Sequence, residues 1–295
     1  MTLTPNQWLG IPVALLGAVF LALGAQFQHR GVGRVEADTG EIDTSPGLSL
    51  KQVLLLLARP SWVLGSLMLG LAVLLQLTSL YLAPIIVVQP LGAIALVITA
   101  VVNARISKVK LDLKSIRAIA FCVAGVGLFV TVAAFTAKSS PVNEAQLGVI
   151  LALLGIITMG FSLAFAFLRD RFKAIVFILG AGVLYGFVAT LAKVVIDRAK
   201  TGDFEWLTVT CIIALLAAAA LGGYFVQNAY ASGPPDLVIA GLTVVDPLVA
   251  VTIGIVVLQE ASGAPWYAAV AYIAAGALAV YGVFQLAKHH PQARR

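Results

Sequence analysis

Nine stretches of about twenty residues apiece carry almost no charge, and a run of that length is what an α-helix needs to cross a bilayer. They fall at 8–28, 61–80, 84–103, 115–136, 145–168, 174–196, 206–229, 237–258 and 266–286, numbered here as spans 1 to 9. Only helices and closed barrels satisfy their backbone in hydrocarbon, so the pattern leaves few folds open. A tenth stretch, 53–58, is only a turn or two long and lies between Lys51 and Arg59, so it is expected at the interface. The rest of the composition agrees: 61% of the 295 residues are hydrophobic, mean hydropathy is +1.02, and 11% are charged, against about 25% in a soluble domain. This excludes a soluble enzyme, a nucleic-acid-binding domain and a disordered chain. The expected fold is an all-α, polytopic membrane helical bundle of about nine (nine to ten) transmembrane helices, forming one integral membrane domain over residues 1–295.

The basic residues orient the bundle. With loops assigned alternately, fifteen of nineteen Lys and Arg fall on one side, Lys138, Arg198 and Lys200 on the other, and Lys193 within span 6. Cytoplasmic loops are the basic ones, which predicts a plasma-membrane protein with its N-terminus outside and its C-terminus in the cytoplasm. Span 1 has no Lys or Arg before it and Arg30 and Arg34 after it, the charge order of an uncleaved anchor rather than a signal peptide. The acidic 29–49 stretch is expected to be a cytoplasmic loop. Cys122 and Cys211 stand alone in apolar runs, which argues against a disulfide framework or a thiolate metal site.

The chain resembles itself. Val87-Val88-Gln89-Pro90-Leu91 in span 3 matches Val244-Val245-Asp246-Pro247-Leu248 in span 8, at an offset of 157. Tyr81-Leu82-Ala83 after span 2 echoes Tyr230-Ala231-Ser232 after span 7, and Gly17-Ala18-Val19-Phe20 resembles Gly182-Val183-Leu184-Tyr185. The matches divide the chain into repeat 1 (about 8–136), a linking helix (about 145–168) and repeat 2 (about 174–286). Because span 3 and span 8 cross in opposite directions, the repeats are inverted, as in many alternating-access transporters.

Asp246 is the acidic residue placed deep within a span, roughly 15 Å in at 1.5 Å per residue. A carboxylate there is costly unless protonated, paired or hydrated. Pro247 follows it and is expected to break the helix, freeing backbone carbonyls beside the acid. The functional reading is a proton or cation site; the structural one is an Asp that bonds amides freed by the proline. Gln89-Pro90 is the inverted counterpart, and the two breaks could face one cavity. Lys193 either snorkels from the outer end of span 6 and pairs with Asp197, or lines a cavity and neutralises Asp246. Gln26, Gln28 and His29 close span 1, and Gln76, Thr78 and Ser79 with Gln227, Asn228 and Tyr230 form two clusters. The span 1 group could be substrate contacts or interfacial anchors, and the two clusters substrate contacts or glue between helices. Gly182 and Gly186 form a GxxxG suited to close packing. Glu260 and Asp236, at span ends, are expected to be solvated. No catalytic motif, cofactor motif or P-loop is present, so neither enzymatic activity nor a cofactor is expected, and any transport is secondary or facilitated.

Ala83-Pro84, Val88 and Pro90-Leu91-Gly92-Ala93 together resemble the AP-x3/4-V-x-PLGA signature of the NIPA-like magnesium transporters, within the drug/metabolite transporter (EamA-like) superfamily. Residues 17–31 are similar to that family's first span and 181–193 to its sixth. Gln227-Asn228-Ala229, Asp246-Pro247 and Glu260 resemble its last third. The chain departs from the family at Gln89, where threonine is usual, at Asp246, where a neutral residue is expected, and at Pro234-Pro235. The resemblance implies an inverted-repeat transporter and Mg2+ as a candidate cargo, with Asp246 as the candidate metal ligand.

The resulting expectation is a secondary transporter that moves a small solute or cation, with proton coupling open. Its binding site would comprise Asp246, Gln89, Lys193, Gln28, Gln227 and Asn228 around the Pro90 and Pro247 breaks. A small organic metabolite, a lipid-linked substrate, or a non-transporting membrane scaffold are the alternatives. The bilayer is the expected environment and nucleic acid is not an expected partner. A polar cavity reaching Asp246 would favour transport, and a closed dry bundle the scaffold.

Overall fold

The computed structural model describes residues 3–39, 57–106, 112–138, 141–168, 174–202, 205–232 and 235–289. Among them every regular element is helical, and nine helices are long and apolar enough to cross a bilayer: Pro5–Gln28, Pro60–Leu82, Ile85–Val102, Leu113–Thr136, Glu144–Ala164, Ala174–Thr201, Trp206–Ser232, Leu237–Val256 and Trp266–Lys288. These are spans 1 to 9. The helix of span 1 continues past Gln28 to Thr39, so the first part of the stretch expected as a 29–49 loop is helical instead. Residues 40–49 and most of the 53–58 stretch, with the side chains of 29–39 and Asp236, lie outside the described residues.

Local chemistry sets several helix ends. Asp112 caps span 4, its carboxylate accepting the Ser115 N–H at 2.8 Å. Asn143 and Gln146 open span 5 with a reciprocal capping box, at 2.8 and 3.0 Å. Span 3 is not one regular helix. Ile85–Val88 is a single α-turn, Gln89–Gly92 tightens to a 3-10 turn, and the α-helix resumes at Ala93. Pro90 causes this, since it cannot donate to the carbonyl four residues back. Span 8 differs from the expectation: its helix runs unbroken from Pro235 to Val256 with Pro247 inside it. The local cost is one lost bond, to the Thr243 carbonyl, and not a break. Span 6 runs five residues further than expected, to Thr201, which moves Lys193 more than two turns inside its end.

In lipid, apolar tails compete equally with apolar side chains, so helices associate where small residues let backbones approach. Gly10, Gly17 and Gly24 recur every seven residues on the face of span 1 that meets span 2. A Cβ on Gly10 would lie 2.5 Å from Ala83 Cβ, and one on Gly24 would lie 2.9 Å from the Gly65 carbonyl. Spans 4 and 9 meet the same way, with Gly125 against the Ala279 backbone and Gly282 against the Cys122 backbone. Gly182 and Gly186 do form a close contact, with Val245 and Val249 of span 8, where an added Cβ would approach to 2.6 Å. Span 5 sits at the periphery against spans 6 and 7. The best-covered segment is the start of span 3, where Ile85, Ile86, Val87 and Val88 are fully buried.

Large apolar side chains such as Leu67, Ile156, Met159, Ile213, Leu216 and Ile273 point outward from the spans. An apolar surface of this extent suits a lipid environment. Trp8, Trp206 and Trp266 are exposed at span ends, as interfacial anchors are.

Two alanine substitutions separate packing from propensity. Gly125→Ala forces a Cβ into the Ala279 backbone and is expected to cost about 1–3 kcal/mol. Gly127→Ala, where a Cβ meets nothing within 4 Å, is expected to be neutral or stabilising by about 0.5–1 kcal/mol. Thermal unfolding of the two detergent-solubilised variants should place their Tm values on opposite sides of, or at, the wild-type value.

Candidate functional site

The two proline motifs, 157 residues apart in sequence, meet in space. The start of span 3 packs on span 8, and Pro90 and Pro247 line the same cavity of about 60 Å³. Ala93, Val244 and Val251 complete the walls beside them, with Phe129 and Val126 from span 4 and Val280 and Val283 from span 9. Thr243 also lines the cavity, but its hydroxyl turns back to donate to the Ile239 carbonyl at 2.7 Å. The walls are therefore apolar, and Asp246 is not among them; the cavity between Pro90 and Pro247 is not a polar cavity reaching that residue.

Asp246 lies against the glycine face of span 6. A Cβ on Gly186 would come within 3.0 Å of its carbonyl, and one on Gly182 within 3.4 Å of its amide. The residue is half-buried, yet its Oδ1 is shielded from solvent and has no hydrogen-bond partner among the described residues. The alternative role considered for it, bonding amides freed by the proline, is therefore not filled by this oxygen. Tyr185, also on span 6, lies within electrostatic reach of Asp246 and edges onto Gly222 of span 7.

The other candidates lie elsewhere. Gln89 is buried in the 3-10 turn, 6% exposed, next to Pro90. Gln28 donates from Nε2 to Ser66 Oγ at 2.9 Å and so ties span 1 to span 2. Asn228 donates to the Tyr224 carbonyl of its own helix at 2.8 Å, and Gln227 is exposed. Lys193 neither snorkels nor turns to Asp246. It is 1% exposed, and its Nζ donates to the carbonyls of Leu80 at 2.8 Å and Ala83 at 3.2 Å. It pairs with Asp197 at 3.2 Å, the partner expected for it, but in the interior. The extra turns of span 6 carry it inward.

Glu260 overturns an expectation. Placed at a span end, it was expected to be solvated; it is 3% exposed. Its Oε1 accepts the Ile85 N–H at 3.0 Å and its Oε2 the Ile86 N–H at 2.9 Å. Span 3 begins after Pro84 with no Ser, Thr, Asp or Asn at its N-cap, and no side-chain cap from nearby. That missing cap was the available sequence signal, although the residue that supplies it lies some 175 positions away. Gly254 makes room, since a Cβ there would lie 2.6 Å from Ile85 Cγ2 and 3.3 Å from Glu260 Oε2. Gln259, immediately before, is held at φ 55, a left-handed conformation that costs a non-glycine residue roughly 1–2 kcal/mol.

Lys193 and Glu260 thus hold the two sides of one backbone break. Around them, Asp197 also pairs with Lys200 at 3.4 Å, and Lys200 donates to the Tyr81 carbonyl while lying 4.0 Å over the Tyr81 ring. The Glu260 amide donates to the Gly254 carbonyl at 2.9 Å, and its carbonyl accepts from the Lys138 amide at 2.6 Å. A larger cavity of about 420 Å³ opens at the same end between spans 4 and 9, lined by Thr131, Phe135, Thr136, Gly263, Pro265 and Tyr267 among others.

These features define a multi-pass α-helical membrane protein whose third span is discontinuous and charge-capped. Its similarity reaches an uncharacterized protein of Corynebacterium glutamicum, 26% identical over 262 residues and covering 86% of each chain. No protein-family profile and no solved structure matches the chain.

Removing the carboxylate strands two buried N–H groups, each worth about 1–3 kcal/mol. Glu260→Ala should therefore lower Tm well below Glu260→Gln, whose amide oxygen still accepts one bond. Burial pushes the Glu260 carboxyl up from 4.5 to about 7, against the pull of Lys193 and the two amides. Between those values the folded protein binds more protons than the unfolded chain. This group's contribution to stability is thus fully present below 4.5 and declines as pH rises through about 7. Glu260→Gln should flatten that part of a Tm-against-pH profile.

Proposed function

We propose that the protein is a secondary transporter of the drug/metabolite type, moving a small solute by alternating access between two inverted repeats, with Asp246 as the proton- or cation-binding group. The observation that carries this reading is a buried, unpartnered carboxylate oxygen within a span, next in sequence to Pro247, which with Pro90 lines one cavity. An unsatisfied acid within a span is otherwise a cost with no return.

The packing pattern supports the repeat. Spans 1 and 2 form a close pair, as do spans 6 and 7; span 3 lies on span 1 and span 8 on span 6; spans 4 and 9 pair with each other. A twofold relation between spans 1–4 and 6–9 generates this set of partners. With span 5 as linker, the second set starts on the opposite side of the bilayer, which makes the repeats inverted. On this reading residues 1–295 act as one domain in the cell membrane, N-terminus outside and C-terminus cytoplasmic.

The apolar walls favour an organic solute with an apolar body. Mg2+ wants six oxygen ligands and keeps most of its water, and these walls offer it little. Mg2+ stands as the second reading, favoured by the unpartnered Asp246 oxygen and the PLGA resemblance. The absence, among the described residues, of a polar cavity reaching Asp246 favours the scaffold alternative, against which stands the unpartnered Asp246 oxygen.

Asp246→Asn in proteoliposomes is expected to reduce flux more than tenfold while leaving Tm within a few degrees of wild type, since the amide keeps the shape and loses only the ionisable group. Flux would be followed for Mg2+ and a panel of small organic solutes. Wild-type flux retained in Asp246→Asn would remove the residue from the mechanism, and saturable Mg2+ binding that disappears in the variant would move the cargo from solute to ion.

A further inference from the structure

Lys193 and Glu260 do more than cap a helix break. Both come from the second half of the chain, and both grip the first half at the junction of spans 2 and 3. Lys193 of span 6 holds the C-terminal carbonyls of span 2, and Glu260 of the span 8–9 connection holds the first amides of span 3. The Lys138 amide, at the end of span 4, adds a third tie to the Glu260 carbonyl, and Lys200 a fourth to Tyr81. All four lie at the end of the bundle where span 1 begins. Two halves that rock against each other cannot keep these bonds, because each bond has one foot in either half.

We propose that the Lys193–Glu260 clamp is the gate at this end of the bundle: it holds the Ala83–Pro84 junction shut in the present structure and dissociates when that end opens. The proposal rests on the alternating-access reading above. The clamp is suited to switching and not only to stability. Its groups are ionic but balanced, with Lys193 and Lys200 against Asp197 and Glu260, so a released partner can be taken up by a neighbour. Its arm is a tight turn, in which Gln259 takes a left-handed φ of 55 as span 8 ends and the Glu260 amide bonds back to the Gly254 carbonyl. Ala83, fully buried between the two grips, becomes accessible only if they release.

The test uses full-length protein with Cys122 and Cys211 replaced by Ala and a single cysteine introduced as Ala83→Cys, reacted with a membrane-impermeant maleimide in proteoliposomes. In the otherwise unchanged chain, labelling should be slow. Lys193→Met and, separately, Glu260→Gln should speed it at least tenfold at a temperature well below unfolding, and Lys193→Arg should restore protection. A purely structural cap would instead lower Tm and leave the labelling rate at that temperature unchanged, and this outcome overturns the gate. If Lys193→Met does not yield folded protein, Glu260→Gln, which keeps one of the two amide bonds, decides the matter by the same criterion. Faster labelling in a protein that moves no solute would sustain the gate and overturn the transport reading. Intact transport with unchanged labelling would do the reverse.

Discussion

Span 2 ends and span 3 begins within two residues, in the interior of the bundle, and the backbone groups bared by that break must be bonded by something other than water. Ala83 is extended and Pro84 has no N–H, so neither can continue the helix. The carbonyls of Leu80 and Ala83 and the amides of Ile85 and Ile86 are left without helical partners. A cation on the carbonyl end and a carboxylate on the amide end match the sign of each helix dipole. Taking two ions out of water costs several kcal/mol apiece, and that cost is offset only where each is fully hydrogen-bonded. Much of the surrounding architecture follows: the long span 6 that buries Lys193, the glycine at 254, and the strained turn that aims Glu260 inward.

Elsewhere the bundle is held by shape. Glycines at seven-residue intervals bring span 1 onto span 2, Gly125 and Gly282 bring spans 4 and 9 together, and Gly182 and Gly186 bring span 6 onto span 8. Such contacts act by dispersion and by bringing backbones close, so they tolerate almost no added volume. The contact of Gly182 and Gly186 with span 8 also brings the Asp246 backbone against span 6, while the side-chain Oδ1 of that residue has no hydrogen-bond partner among the described residues.

The spans were legible in the sequence because length and charge depletion are local properties, and the observed helices agree with them to within a few residues. Two ends are exceptions: the helix of span 1 runs on to Thr39, past Arg30 and Arg34, and the end of span 6 fell where Asp197, Arg198 and Lys200 interrupt the apolar run. Those charges are internal to the fold or bonded across to spans 2 and 7, so they do not mark the helix end. The proline motifs were also legible, but not their difference in outcome: Pro90 forces a 3-10 turn where the preceding turn is only four residues long, while Pro247 is absorbed by helix on both sides. The clamp could not be read. Lys193 and Glu260 bond residues more than a hundred positions away, and a charged residue at a span end looks solvated unless the unsatisfied groups opposite it are known.

Asp246 and Glu260 complete the argument by contrast. Both are acids removed from water, and both lie on span 8 or just beyond it. Glu260 has two amide donors and a nearby cation, and its environment is built around it, down to the glycine that admits it. Asp246 does not line the apolar cavity, and its Oδ1 has no hydrogen-bond partner among the described residues. A fold that bonds one buried acid so thoroughly does not lack the means to bond another. Glu260 is bonded at both oxygens to the first amides of span 3, whereas Asp246 Oδ1 has no hydrogen-bond partner among the described residues.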